Sequence, residues 1–368
     1  MRIFFGNIWT VFLLIFYLLF FMAGNGITSD GNEPVPVIYC TDLFHPHDDV
    51  DDHFDIATLF AVHELEIKAV ILDQGEKQEK QPGGIPLNQL IHLQNSPVPF
   101  EIGLSQPLKN LNDRAISEPK KYQNGVRLIL ETLRQSDRPV WIITVGSLRD
   151  VAAAFNREPD LFRQKVHRLL IFAGDANNIF VEHNQGLDPF AYARMMTSKL
   201  PLDWVPCFDG GVWKNKGNAS FFRADHARLL ENMPEKLLNF FIYALMKKSE
   251  SDPVKFLYRK ASDAEKDSVI KGLRNLWCAP IFTYPANRKI VIRQGRYMAL
   301  QVDDMLPNEK AVKLFDFTPV SIGIDYHGRL SVKEGQGYTT TRRFRILDHT
   351  VYARAMTSVT NHLLRGFF

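Results

Sequence analysis

From Val35 onward, short apolar runs alternate with stretches in which apolar residues recur every three or four positions. The runs 35–40 (VPVIYC), 67–73 (IKAVILD), 140–146 (VWIITVG) and 167–174 (HRLLIFAG) are too short for helices. They are also apolar at successive positions, which predicts strands covered on both faces. Between them, residues 52–65, 84–95, 124–135, 148–157 and 189–198 carry the helical period, and residues 98–104 return to an extended pattern. The alternation predicts βαβ units, hence an α/β fold: one domain over residues 34–368 with a central, mostly parallel sheet flanked by helices,. Residues 212–275 are richer in charge and helix formers and predict peripheral helices; 320–334 reads as two strands joined at His327-Gly328, and 350–364 as an amphipathic helix.

Such sheets bind ligands outside the carboxyl ends of their strands. Four predicted strands end in polar clusters there, beginning at Asp42, Asp73, Gly146 and Gly174. The first is the densest: Asp42, Asp48, Asp49, Asp51, Asp52 and Asp55 are interleaved with His45, His47 and His53. Like charges packed this closely repel unless something neutralises them, and a hard divalent cation such as calcium or magnesium does so for carboxylate oxygens. Asp51 and Asp52 also suit a helix start through the macrodipole. Asp55 and His63 are expected to be solvated or capping, and Trp277 to serve packing rather than base stacking.

Composition narrows the partners. A net charge of +3 without a basic run argues against nucleic acid. Three distant cysteines, Cys40, Cys207 and Cys278, form neither a disulfide framework nor a C-x-x-C metal motif. Residues 8–24 form a long, uncharged apolar run, so residues 1–33 are read as a secretory signal, with an uncleaved membrane anchor as the alternative. Either way the remainder is expected to be exported, touching a membrane only through this segment.

Three known metal chemistries fit the acidic stretch poorly. His45-Pro-His47-Asp-Asp49 lacks the closing histidine of the H-x-H-x-D-H zinc motif, where Val50 stands. A haloacid-dehalogenase-like nucleophile would fall at Cys40, and no mid-loop glycine supports an EF-hand. A fourth fits better. Cys40-Thr41-Asp42, then an insertion, then Asp51-Asp52 opening a helix, resembles the D-T-D-x-G-x-D-D signature of the inosine-uridine preferring nucleoside hydrolase family. Downstream, 145–154 (VGSLRDVAAA) resembles the family's V-G-P-L-T-N-L-A turn, and Glu182-His-Asn184 with Asp188-Pro189 resembles its E-F-N-x-x-x-D-P.

The resemblance implies hydrolysis of the N-glycosidic bond of ribonucleosides with one bound Ca2+. By it, Asp42 is a metal ligand and general base, Asp52 a second ligand, and a main-chain carbonyl at Leu148 or Arg149 a third. Asp51, Glu182, Asn184 and one of Asn177 and Asn178 would hold the ribose. The partner is then a small nucleoside or riboside; self-association into a homo-oligomer is left open. The family's late H-D-P, which supplies a leaving-group acid and a further carboxylate, is replaced by Cys278-Ala279-Pro280. Two other readings therefore stand beside the enzyme: a non-catalytic nucleoside or sugar binder, and a metal hydrolase of another substrate.

Overall fold

A computed structural model describes residues 33–324, 330–335 and 340–368. The apolar run at 8–24 and the turn at His327-Gly328 lie outside the described residues. Residues 35–368 form one compact unit.

The sheet grows from the buried run that opens it. β1 (Val35–Thr41) pairs in parallel with β2 (Leu65–Leu72) on one side, and β2 in turn with the short β3 (Phe100–Ile102). On its other side β1 pairs in parallel with β4 (Val140–Thr144), followed by β5 (Val166–Phe172) and β6 (Leu202–Val205). Successive residues of β1 enter different cores: Val37 and Tyr39 pack with one hydrophobic cluster, Ile38 and Cys40 with the other. Trp141 and Ile143 of β4 divide from Val140 and Ile142 in the same way. Helices cover both faces, which is why these strands read as continuous apolar runs.

Peripheral antiparallel pairs are added by β7 (Phe222–Asp225) with β8 (Leu273–Leu276), and by β9 (Lys289–Arg293) with β10 (Arg296–Leu300). The region 212–275, expected to be helical, thus also contributes two strands, paired through backbone bonds across a long separation that local pattern does not reveal. The C-terminal strands β11 (Phe315–Ile324), β12 (Leu330–Glu334) and β13 (Thr341–Ile346) extend the main sheet to nine strands, with β13 parallel to β6 and antiparallel to β11. Among the described residues no helix is long and apolar enough to cross a membrane.

Candidate active site

The parallel strands β1, β2, β4 and β5 deliver their carboxyl ends to one place. Val145 donates its N–H to the carbonyl of Cys40 (2.9 Å), and Asp73 donates its own to Thr41 (2.9 Å), so the three chain exits are locked side by side. The buried Asp73 carboxylate then accepts from the Ser147 N–H and hydroxyl, both at 2.8 Å. Gly146 permits the closest approach: a Cβ there would lie 2.9 Å from the Asp42 nitrogen and 3.0 Å from its Oδ1.

A cavity of about 570 Å³ opens above these ends. One wall is carboxylate: Asp42, Asp51, Asp52 and Asp55, with Asp48 and Asp49 at the edge. The helix Asp51–Ala61 starts beside Asp42, and the Thr41 hydroxyl donates to Asp52 (3.3 Å). Another part of the lining is aromatic, a cluster of Phe180, Phe208, Trp213 and Trp277. Glu182 and Asn184 also line it.

Electrostatics mark the acidic wall as undercompensated. Burial, and then the Asp73 charge, raises the Asp42 carboxyl from 3.8 to about 7. Burial followed by neighbouring aspartates pushes Asp51 and Asp52 well above the usual carboxylate range. Asp55 is raised by burial to about 7, although the Cys278 thiol and the Ala279 N–H (2.8 Å) bond to it. The nearby cations are engaged at the rim, Lys77 with Asp48 (2.5 Å) and Arg274 with Asp49 (2.8 Å). An all-oxygen donor set with surplus negative charge fits a hard divalent cation. Among the described residues, no three His, Cys, Asp or Glu side chains already converge on one point; a cation would have to draw these carboxylates together.

The sequence-predicted residues separate into two groups. Asp42, Asp51, Asp52, Glu182 and Asn184 all line the cavity. Glu182 caps the helix His183–Leu187 and accepts from the N–H groups of Gly174 (2.8 Å) and Asn184 (3.0 Å), which fixes its carboxylate. The Asn184 amide donates to the carbonyls of Val145 (2.9 Å) and Phe172 (3.1 Å), pinning it to two strand ends. Leu148, Asn177 and Asn178 do not line the cavity. The Leu148 carbonyl accepts the first helical bond, from Ala152 (2.9 Å), and the Asn177 amide donates to Asp209.

One expectation is corrected. Asp55 is neither solvated nor a cap: it is 1% exposed and faces the cavity one turn beyond Asp52. Its spacing of three from Asp52 was the available signal, since such residues share a helix face. Trp277 packs against the core as expected while also bordering the cavity, its indole N–H bound to the Cys207 carbonyl (3.0 Å). His45, His47 and His53 are buried and lie outside the cavity lining. The acidic insertion instead packs His45 against Tyr243 (ring centroids 4.7 Å apart), with His47 5.8 Å from His53.

Residues 40–257, more than half of the chain, match the model of the family described as inosine-uridine preferring nucleoside hydrolase. The chain belongs to this family. Among curated relatives of the nucleoside hydrolases, the pyrimidine-specific ribonucleoside hydrolase RihA of Salmonella enteritidis PT4 is 30% identical over 188 residues, 46% of this chain and 58% of that protein. The corresponding RihA of Escherichia coli O1:K1 / APEC is 28% identical over 172 residues, 41% and 55% of the two chains. The chain thus spans little more than half the length of the curated relatives it matches. In fold it is similar to a plant nucleoside hydrolase (TM-score 0.55, 14% identity, 90% of this chain and 99% of the other). It is likewise similar to a purine-preferring ribonucleoside hydrolase from Gardnerella vaginalis (TM-score 0.52, 14% identity, with the same coverage). A nucleoside-hydrolase-like fold with a large, mostly parallel sheet is therefore established.

Proposed function

We propose that this protein hydrolyses the N-glycosidic bond of ribosides, with Asp42 as the base. The carrying observation is that Asp42, Asp51, Asp52, Glu182 and Asn184 share one cavity with an aromatic cluster. A ribose presents hydroxyls to carboxylate and amide oxygens, while a flat base favours aromatic faces. Asp51, Glu182 and Asn184 then hold the sugar, and the aromatic side receives the base. Asp42 Oδ takes the proton of the attacking water, as a carboxylate within hydrogen-bond reach of it can. Asp42 and Asp52 would hold Ca2+; when bound, the cation supplies charge neutralisation and acidifies water.

The companion reading, a non-catalytic riboside binder, is favoured by one observation: Cys278 and Ala279 occupy the place of the family's late His-Asp pair. Free-ribose release from uridine, inosine and nicotinamide riboside in calcium buffer, by wild type and Asp42→Ala, separates the two. Hydrolysis lost in Asp42→Ala supports the enzyme; thermal stabilisation by ribosides without any release would establish the binder. Export of residues 34–368 past an N-terminal leader or anchor belongs to the same proposal, as does any homo-oligomer.

A further inference from the structure

The histidines of the acidic insertion and the helix after it take no part in the cavity lining, and their surroundings point to a separate task. His45, His47 and His53 are 3%, 7% and 0% exposed. The ring centroid of His53 lies 6.3 Å from that of His45 and 5.8 Å from that of His47. The helix Glu235–Leu245 packs against them: Tyr243 stacks on His45 at 4.7 Å, and Phe240 stands 5.9 Å from His53. The H-x-H pair has no closing histidine at Val50, but folding brings His53 of the next helix to it instead.

Five buried ring nitrogens here have no hydrogen-bond partner: Nδ1 of His45, and both nitrogens of His47 and of His53. The Asp48 main chain approaches His47 without completing a hydrogen bond. A neutral imidazole carries one N–H and one lone pair, and leaving both unmet away from water is costly. His45 shows how its lone pair is disposed. The Lys248 carbonyl can only accept, so His45 Nε2 donates to it (2.6 Å), and Nδ1 is left unprotonated and buried. Metal-ligating histidines are held in this way, the second ring nitrogen donating to a carbonyl or carboxylate. Burial lowers the pKa of both His45 and His47, which favours the neutral form that ligates.

We propose that His45, His47 and His53 form a transition-metal site that takes a borderline ion such as zinc, one nitrogen from each ring. Imidazole suits such ions, whereas the carboxylates of the acidic wall suit hard cations. Zinc–nitrogen bonds of about 2.0–2.1 Å at tetrahedral angles place ring centroids roughly 5 Å apart, so binding closes the present cluster by about 1 Å. Lys247 and Arg274 near His47 oppose a cation; Asp49, paired with Arg274 (2.8 Å), offsets them. The bound ion ties the insertion to the helix that carries Asp51 and Asp52.

The test titrates zinc into the EDTA-stripped full chain in excess calcium, which competes for carboxylate oxygens. Calorimetry should show saturable zinc binding, and X-ray absorption of the zinc-loaded wild type should show scattering from three imidazoles. Loss of an outer-sphere partner alone weakens metal binding roughly 10- to 100-fold, so removing a ligand in His47→Gln should weaken zinc by at least about a hundredfold. The wild-type spectrum needs no variant and decides the case even where His47→Gln fails to fold. Absence of saturable binding, oxygen ligands only, or unchanged affinity in folded His47→Gln would each overturn the site. None of these outcomes bears on riboside cleavage, which rests on other residues.

Discussion

Replacing Asp55 by Asn probes the acidic wall through its thermodynamics. Burial is the chief reason its carboxyl rises from 3.8 to about 7, with the Asp49 charge adding to it. A folded-state pKa above the unfolded value means that the folded protein holds the proton more tightly. Stability contributed by this group is therefore fully present below 3.8 and declines as pH rises to about 7. At ~1.4 kcal/mol per unit the whole shift corresponds to ~4 kcal/mol, most of it falling between about pH 5 and pH 7. Asn keeps an oxygen for the Ala279 N–H and cannot ionise. Urea unfolding in EDTA at about pH 5 and pH 8 should show Asp55→Asn losing roughly 2–3 kcal/mol less than wild type between the two. A residual loss should remain in the variant, because Asp42 and the buried Asp150 are also raised to about 7. Calcium should shrink the wild-type loss, since a bound cation favours the ionised carboxylates. Parallel pH profiles for the two proteins would refute the argument and place Asp55 in a well-compensated environment.

Two further perturbations test the frame around the cavity. Gly146→Ala puts a Cβ against Asp42; the expected cost is ~1–3 kcal/mol in urea unfolding with a larger proportional loss of ribose release, and wild-type behaviour in both would refute the close packing. Arg149 is 3% exposed, donates to the carbonyls of Ser105 (2.7 Å) and Leu187 (2.9 Å), and lies 3.7 Å from the fully buried Asp188. Arg149→Met strands that carboxylate and should cost ~3–5 kcal/mol; a loss below ~1 kcal/mol would show that Asp188 is satisfied by its backbone partners alone.

Much of the site was legible because it is local. Asp42 ends a strand whose apolar run is unmistakable, and Asp51 and Asp52 open the next helix, so their proximity follows from chain connectivity. Glu182 and Asn184 followed from motif order, and the structure places both beside Asp42. The parallel core was also readable, since two-sided burial writes itself into β1, β4 and β5 as continuous hydrophobicity.

Other features depend on contacts between distant segments, which periodicity does not encode. Asp55 meets Ala279 across 224 positions, and that contact turns an apparently solvated helix residue into part of the cavity wall. The aromatic wall draws on residues 180, 208, 213 and 277, from loops with no shared period. Likewise, β13 slots between β6 and β11 because the sheet edge offers unpaired backbone groups there, not because of any pattern within it. Sequence determined the core strands β1, β2, β4 and β5, the acidic turn and the family. Tertiary structure alone decided what faces the acidic turn, because burial and charge at a site depend on which remote segments close over it.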